Sequence, residues 1–270
     1  MQRLPLLAAF LAASGLSLGS LSAVEYHGIP VIAHRGAGFE VDENTVAACK
    51  HSYDKGIRGF EVDFRLTSDD HLVLMHDDSV KRTTGGEGIV EKMTLAEVQA
   101  LRTKKDNAPV PTAADLFGYL ADKPDIFIEL EMKTSDKNLY PDERVERYCR
   151  MLHQQATEKL PAGTFIFTSF DRRTLETMKR LHPDAPIMLI TGAAPNKALI
   201  EDAKKLGCSR VAIVMDLTTR KFVRDAQKAG LKVAGWPTRS EDDARLAVAL
   251  GVNSMTTDLP SMFVEKKAQP

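Results

Sequence analysis

The sequence predicts an α/β fold, a (β/α)8 TIM barrel with an antiparallel hairpin arm and a small insertion after the second strand. Three observations predict it. After residue 24, short β-rich runs alternate with amphipathic stretches over short connections, the pattern of parallel strands joined by helical crossovers. There are nine strand candidates, but the stretch 67–71 before the third is too short for a helical crossover, so that run folds back as an antiparallel arm and eight parallel strands remain. No G-x-G-x-x-G follows any strand, which removes support for an open dinucleotide-binding sheet.

The chain opens with Arg3 and an apolar, Leu/Ala-rich run over 4–18, followed by Ser20, Ser22 and Ala23. This is the layout of a secretory signal peptide over 1–23, with cleavage expected after Ala23, and the run is shorter than the roughly 20 residues of a membrane span. The barrel domain is then 24–270, exported to a periplasm or the medium, with no stable membrane span once the leader is removed. Strands are expected at 31–34, 59–64, 72–76, 126–132, 164–169, 187–190, 211–215, 232–236 and 253–256, all short runs rich in β-branched, aliphatic or aromatic residues. Helices are expected at 44–55, 113–121, 143–159, 172–181, 197–206, 219–229 and 240–250. Gly56, Gly207, Gly230 and Gly251 follow four of these, where left-handed C-caps form. Residues 77–111 carry Thr83-Thr84-Gly85-Gly86-Glu87-Gly88 and a short helical piece near 95–101; they read as an insertion over the barrel mouth.

Composition narrows the function. With 36 Lys+Arg against 37 Asp+Glu and one tryptophan, there is neither a basic surface nor an aromatic platform for nucleic acid. Cys49, Cys149 and Cys208 are widely spaced, without a Cys-x-x-Cys pair, and read as small buried hydrophobes rather than a zinc or redox site. Nothing in the sequence sets an oligomeric state.

Alternation along the second strand places Glu61 and Asp63 on one face and Phe60, Val62 and Phe64 on the other. The strand over 126–132 and the residue after it repeat the device, with Glu129, Glu131 and Lys133 on one face. Acidic side chains inside a barrel are costly unless paired or bound to metal, and hard oxygen donors without sulfur favour Mg2+ or Ca2+. Glu129 fits a structural ion pair better than a ligand role. His34 and His76 stand at strand ends, each followed by a charged residue, and suit acid–base catalysis near neutrality. Arg35 offers a planar fork to phosphate oxygens and Lys133 a point charge. Asn44 either caps the following helix or turns its amide to a ligand. Trp236 either stacks on a substrate or fills the core. Histidines 27, 51, 71, 153 and 182 read as surface or packing residues.

The segments His34-Arg35-Gly36, Glu43-Asn44-Thr45, Glu61-x-Asp63, Thr67-x-Asp69, His76-Asp77, Arg82-Thr83-Thr84, Pro111-Thr112, Glu131-x-Lys133, Ser169-Phe170, Trp236 and Thr257-Asp258-x-Pro260 together resemble the glycerophosphodiester phosphodiesterase family. The resemblance runs in order from about Ile32 to Pro260. It implies a (β/α)8 barrel with a small insertion and cation-dependent hydrolysis of deacylated phospholipids to sn-glycerol 3-phosphate and an alcohol such as choline or ethanolamine. It makes Glu61, Asp63 and Glu131 the metal ligands, His34 and His76 the acid–base pair, and puts Arg35 and Lys133 on the phosphate. The chain departs from the family at Trp236-Pro237-Thr238-Arg239, where Trp-Thr-Val-Asn is frequent, so Arg239 adds a charge at the rim. Two alternatives are a lysophospholipase D-like enzyme, which needs an apolar rim, and a non-catalytic phosphate- or lipid-binding barrel.

Overall fold

A computed structural model describes residues 24–264. The expected leader, 1–23, and the polar tail, 265–270, lie outside the described residues. Eight parallel strands form a closed ring: β2 (Ile29–Ala33), β3 (Gly59–Leu66), β5 (Phe127–Met132), β6 (Phe165–Ser169), β7 (Ile187–Thr191), β8 (Arg210–Val214), β9 (Lys232–Thr238) and β10 (Ser254–Thr257). Closure is the pairing of β10 with β2, in which Met255 lies opposite Val31. Two strands stand outside the ring. β4 (Leu72–Leu74) folds back antiparallel on β3, as the short connection requires, and β1 (Glu25–Tyr26) pairs antiparallel with β2.

Helices α1 (Val46–Asp54), α4 (Ala113–Leu120), α5 (Asp142–Lys159), α6 (Arg172–Leu181), α7 (Lys197–Leu206), α8 (Arg220–Lys228) and α9 (Glu241–Leu250) cover the ring, and α10 (Ser261–Val264) ends the described chain. Alternation along the strands divides the apolar residues between two cores. Phe60, Val62, Phe64, Ile128 and Leu130 face the helices, whereas Ile32, Phe127, Ile166, Met188, Ile190, Ala212 and Ala234 fill the barrel with Trp236 against them. Gly207 and Gly251 are left-handed C-caps, as expected. Several boundaries differ from expectation, and three bear on the rest. β1 is two residues long, too short for a periodic signal. β2 ends at Ala33 and the chain turns at His34 in a 3-10 helix. α1 begins at Val46 with Thr45, not Asn44, as its cap, the Thr45 side chain accepting from the Ala48 N–H.

The insertion contains α2 (Lys81–Thr84), a 3-10 turn at Val90–Lys92, and α3 (Leu95–Ala100) with a Thr94/Glu97 capping box. Its own small core joins Val80, Val90, Val98 and Val110 to Val73 and Met75 of the arm. It is tied to the barrel through Glu91, which is 2% exposed. The Glu91 carboxylate accepts from Arg65 Nη1 at 2.7 Å and from the Tyr140 hydroxyl at 2.8 Å. Arg65 in turn donates from Nε and Nη2 to the His76 carbonyl at 3.0 and 2.8 Å, so one buried ion pair holds both the insertion and the backbone of His76. Removing one partner of such a pair leaves a buried charge uncompensated, at about 3–5 kcal/mol. Glu91→Ala is expected to lower unfolding free energy by about that amount, measured by denaturant melts.

Candidate active site

The first site loop is shaped by backbone that few residues adopt. Arg35 has φ 52° and Gly36 φ 81°. A Cβ on Gly36 would stand 2.8 Å from that of Ala48, so only glycine lets this turn rest on α1. The turn aims the Arg35 N–H at Glu61 Oε2 at 3.0 Å and places His34 over the end of the barrel. Asn44 also has positive φ, 56°, and its amide grips Asp63 at both ends. Its Nδ2 donates to Asp63 Oδ2 at 2.8 Å, and its Oδ1 accepts from the Asp63 N–H at 2.9 Å. Asn44 therefore orients a carboxylate, a role distinct from both capping and direct ligand contact.

Glu61 and Asp63 point inward from β3, and Asp63 lies opposite Glu131 of β5 in the ladder. One carboxylate oxygen from each of the three comes within 4.8 Å of the others, all three residues being buried. Lys133 Nζ approaches Glu131 at 2.7 Å and Asp63 at 3.6 Å, while Arg35 Nε stands 3.6 Å from Asp63. Burial would raise the Asp63 pKa, but Lys133, His76, Arg35 and the Asn44 amide overcome it and hold Asp63 well below the usual range. Glu61 moves the other way: burial, then Asp63 and Glu131, push it well above the ordinary value. Glu61 Oε1 and Asp63 Oδ1 are buried without a hydrogen-bond partner. A three-carboxylate set with spare buried oxygens and no sulfur fits a hard divalent cation.

Both histidines are held from behind. Asp258 Oδ1 accepts from His34 Nδ1 at 2.5 Å, and Asp258 Oδ2 accepts from Arg239 Nε at 2.7 Å. Burial opposes the Asp258 charge, yet the bonds from His34 and Arg239 keep its pKa below normal, so it is an acceptor and His34 Nδ1 carries the hydrogen. His34 Nε2 is then left facing Glu61, at 3.7 Å. His76 Nδ1 bonds Asp77 Oδ1 at 2.6 Å, and Arg82 joins Asp77 to Glu43, which also accepts from Arg35. Burial would raise Asp77, but Arg82 and His76 bring it down to about 2. A loop of alternating charges thus runs from Arg35 through Glu43, Arg82 and Asp77 to His76.

A cavity of about 120 Å3 in the barrel mouth is lined by His34, Arg35, Glu61, His76, Glu131 and Trp236, among others. Trp236 meets Phe170 edge-to-face at 5.9 Å on its apolar side. Lys133 stands between the carboxylates and the Phe170 ring, 5.6 Å from the ring centre. A second, open cleft of about 390 Å3 carries Arg65, Asp77, Asp78, Lys133 and Asp136, and His76 borders both. The larger cleft beside the stacked His153 and His182 is lined by residues that precede β6 and β7, at the opposite end of the barrel. All three cysteines are free and buried, burial raising their thiols, that of Cys208 to about 11.

The site thus brings together His34, Arg35, Asn44, Glu61, Asp63, His76, Glu131, Lys133 and Trp236. Asp258, Glu43 and Arg82 stand in segments that carry the family resemblance, but nothing in the sequence paired Asp258 with His34 or Glu43 with Arg82. The chain matches the family model of the Glycerophosphoryl diester phosphodiesterase family over residues 34–262. A glycerophosphodiester phosphodiesterase of Caldanaerobacter subterraneus is 32% identical over 244 residues, covering 87% of this chain and 96% of that one. This chain belongs to the glycerophosphodiester phosphodiesterase family. An Oleispira antarctica phosphodiesterase solved with the product sn-glycerol-3-phosphate superposes with a TM-score of 0.80 at 25% identity, covering 90% of this chain and 99% of that one. A glycerophosphodiester phosphodiesterase of Parabacteroides distasonis shares the fold, with a TM-score of 0.76 at 22% identity over 90% of this chain and 99% of its own. The activity of this chain is accordingly glycerophosphodiester hydrolysis, in a family that uses a divalent cation.

Two outcomes follow from the geometry. Asp258→Asn keeps the size of the side chain but removes the charge behind His34; kcat should fall about 100-fold with KM changed far less, read from initial rates. Burial, aided by Glu131 and opposed by Arg210, raises Glu129 from 4.5 to about 7, in the same direction as Glu61. A folded pKa above the unfolded value stabilises below the unfolded pKa and ceases to as pH passes the folded one. Chelator-treated protein should therefore lose on the order of 3 kcal/mol between pH 4.5 and about 7 from Glu129 alone, seen in urea melts across that window and reduced in Glu129→Gln.

Proposed function

We propose that the chain hydrolyses glycerophosphodiesters to sn-glycerol 3-phosphate and an alcohol, with Glu61, Asp63 and Glu131 holding Mg2+ or Ca2+ and His34 and His76 moving the protons. The observation that carries this reading is the cluster of three buried carboxylates within 4.8 Å, flanked by two imidazoles whose Nδ1 atoms are each fixed by an aspartate. Bound there by Glu61, Asp63 and Glu131, a divalent cation would offset the charge of the cluster and polarise a phosphoryl oxygen. Arg35 and Lys133, both lining the approach to phosphorus, bind the remaining anionic oxygens.

His34 Nε2 takes the proton of the attacking oxygen, either water or the glycerol 2-hydroxyl; in the second case a cyclic phosphate forms and water opens it later. His76 protonates the departing alkoxide. Its position between the barrel cavity and the outer cleft supports this division, with glycerol inside and the leaving alcohol outside. A product named in the Oleispira complex, sn-glycerol-3-phosphate, is consistent with the same products here. Asp78 and Asp136 on the outer cleft suit a cationic amino alcohol such as choline or ethanolamine.

One observation favours a second reading, cleavage of lysophospholipids. Phe39, Phe170 and Leu217, exposed by 55, 38 and 50%, lie on loops after β2, β6 and β8 and give the mouth the apolar rim that the insertion lacks. Parallel rates on glycerophosphocholine and lysophosphatidylcholine separate the two; the small cavity predicts the deacylated substrate. No helix among the described residues is long and apolar enough to cross a membrane, and export of the chain rests on the leader-like sequence of 1–23.

Release of glycerol 3-phosphate from glycerophosphocholine should vanish with chelator and return with Mg2+ or Ca2+; full turnover in metal-free buffer would contradict the carboxylate assignment. His34→Ala and His76→Ala should each lower kcat by about 100- to 10,000-fold with circular dichroism unchanged. Near-normal rates for either would end its assignment.

A further inference from the structure

We propose that Arg82, on the insertion, is a positioning residue for proton delivery: acting through Asp77, it holds the imidazole of His76 turned toward the departing alcohol. This rests on the role given to His76 above. Arg82 lines neither the barrel cavity nor the outer cleft, so it acts at one remove from the substrate. Its whole fork is turned to two carboxylates instead. Nε donates to Asp77 Oδ2 at 2.5 Å, and Nη1 and Nη2 donate to the two oxygens of Glu43 at 2.6 and 2.7 Å.

His76 has one anchored nitrogen and one working nitrogen. Asp77 Oδ1 accepts from Nδ1 at 2.6 Å, which leaves Nε2 for the substrate. The Asp77 side chain is 30% exposed, and a side chain so placed samples several rotamers unless something holds it. The bond from Arg82 to its second oxygen does so. The backbone of His76 is fixed separately, by Arg65 on its carbonyl. One arginine thus sets the backbone and another sets the ring.

Exposed ion pairs usually contribute little, because two long side chains must be held in one geometry. Here the geometry is enforced from both sides. Val80, just before α2, is fully buried in the small core of the insertion. The Thr83 hydroxyl donates to Met75 Sδ at 3.2 Å, beside His76, and the Lys104 N–H donates to the Thr83 carbonyl at 3.1 Å. Glu43 is mostly buried and accepts a further bond from Arg35. Gripping one carboxylate with two nitrogens and a second with a third needs the planar fork that lysine lacks.

In the step concerned, the attacking oxygen bonds phosphorus and the P–O bond to the alcohol breaks. The electron pair of that bond goes to the alcohol oxygen, which takes the proton from His76 Nε2. Choline needs that proton to leave; p-nitrophenolate is a stable anion and leaves without it. The test therefore measures single-turnover release of the alcohol, with Mg2+ present, from sn-glycero-3-phosphocholine and from the p-nitrophenyl ester of sn-glycerol 3-phosphate. The ratio of the two rates on one preparation is independent of the folded fraction and of any change at Arg35, which serves both substrates. Arg82→Ala should lower the choline-to-nitrophenol ratio about 10- to 100-fold from the wild-type value. Arg82→Lys, which keeps the charge and loses the fork, should restore only part of it. His76→Ala should lower the ratio at least as far as Arg82→Ala. A ratio that stays at the wild-type value in Arg82→Ala while His76→Ala lowers it would overturn the positioning role alone, as would equal losses on both substrates in Arg82→Ala. A ratio unchanged in His76→Ala would instead overturn the proton-donor reading beneath it.

Discussion

Mutual repulsion among Glu61, Asp63 and Glu131 is the constraint around which the catalytic end is arranged. Three carboxylates sharing a space under 5 Å across would each prefer to be neutral or solvated, and here they are buried. The protein answers with fixed positive charge and fixed hydrogen bonds. Lys133 bridges two of them, Arg35 approaches from the loop above, and the Asn44 amide grips Asp63 from both sides. The compensation is uneven: Asp63 is held ionised, whereas Glu61 is pushed toward its neutral form. On the proposed reading, that imbalance is what a bound divalent cation would remove.

The barrel makes this crowding possible at low cost in chain entropy. Alternation along β3 and β5 turns acidic side chains inward with no special backbone, and parallel register sets Asp63 beside Glu131. At the site, unusual backbone falls in the loop after β2, where Arg35, Gly36 and Asn44 all have positive φ. Such conformations are sparsely populated and persist where surrounding contacts enforce them. Here the close approach of Gly36 to α1 and the double grip of Asn44 on Asp63 do so. The insertion contributes at a distance, Glu91 fixing Arg65 and Arg65 fixing the carbonyl of His76.

Much of this was legible in the sequence because it is local. A period of two residues sufficed to put Glu61 and Asp63 on one face, and a connection too short for a helix sufficed to fold the arm back. His34 and His76 announced themselves by standing at strand ends beside charged neighbours. The partner of His76, Asp77, is that neighbour, whereas the partner of His34 is not. Asp258 is 224 residues from His34 and reaches it only when β10 closes the ring on β2. Asn44 looked like a cap or a ligand group because its positive φ, which turns the amide toward Asp63, leaves no trace in periodicity. Glu129 was visible on the inner face, but whether Arg210 would pair with it depends on side-chain geometry across the barrel. The charge loop through Glu43 and Arg82 joins segments that periodicity does not relate.

The most direct measurement of the central claim is a crystal soaked in Mn2+ and examined by anomalous diffraction. One ion per chain should appear with oxygens of Glu61, Asp63 and Glu131 all within about 2.0–2.6 Å, the range of hard divalent cations on carboxylates. An ion bound elsewhere, or a carboxylate cluster that stays empty at saturating Mn2+ while Lys133 keeps its bridge, would contradict the account.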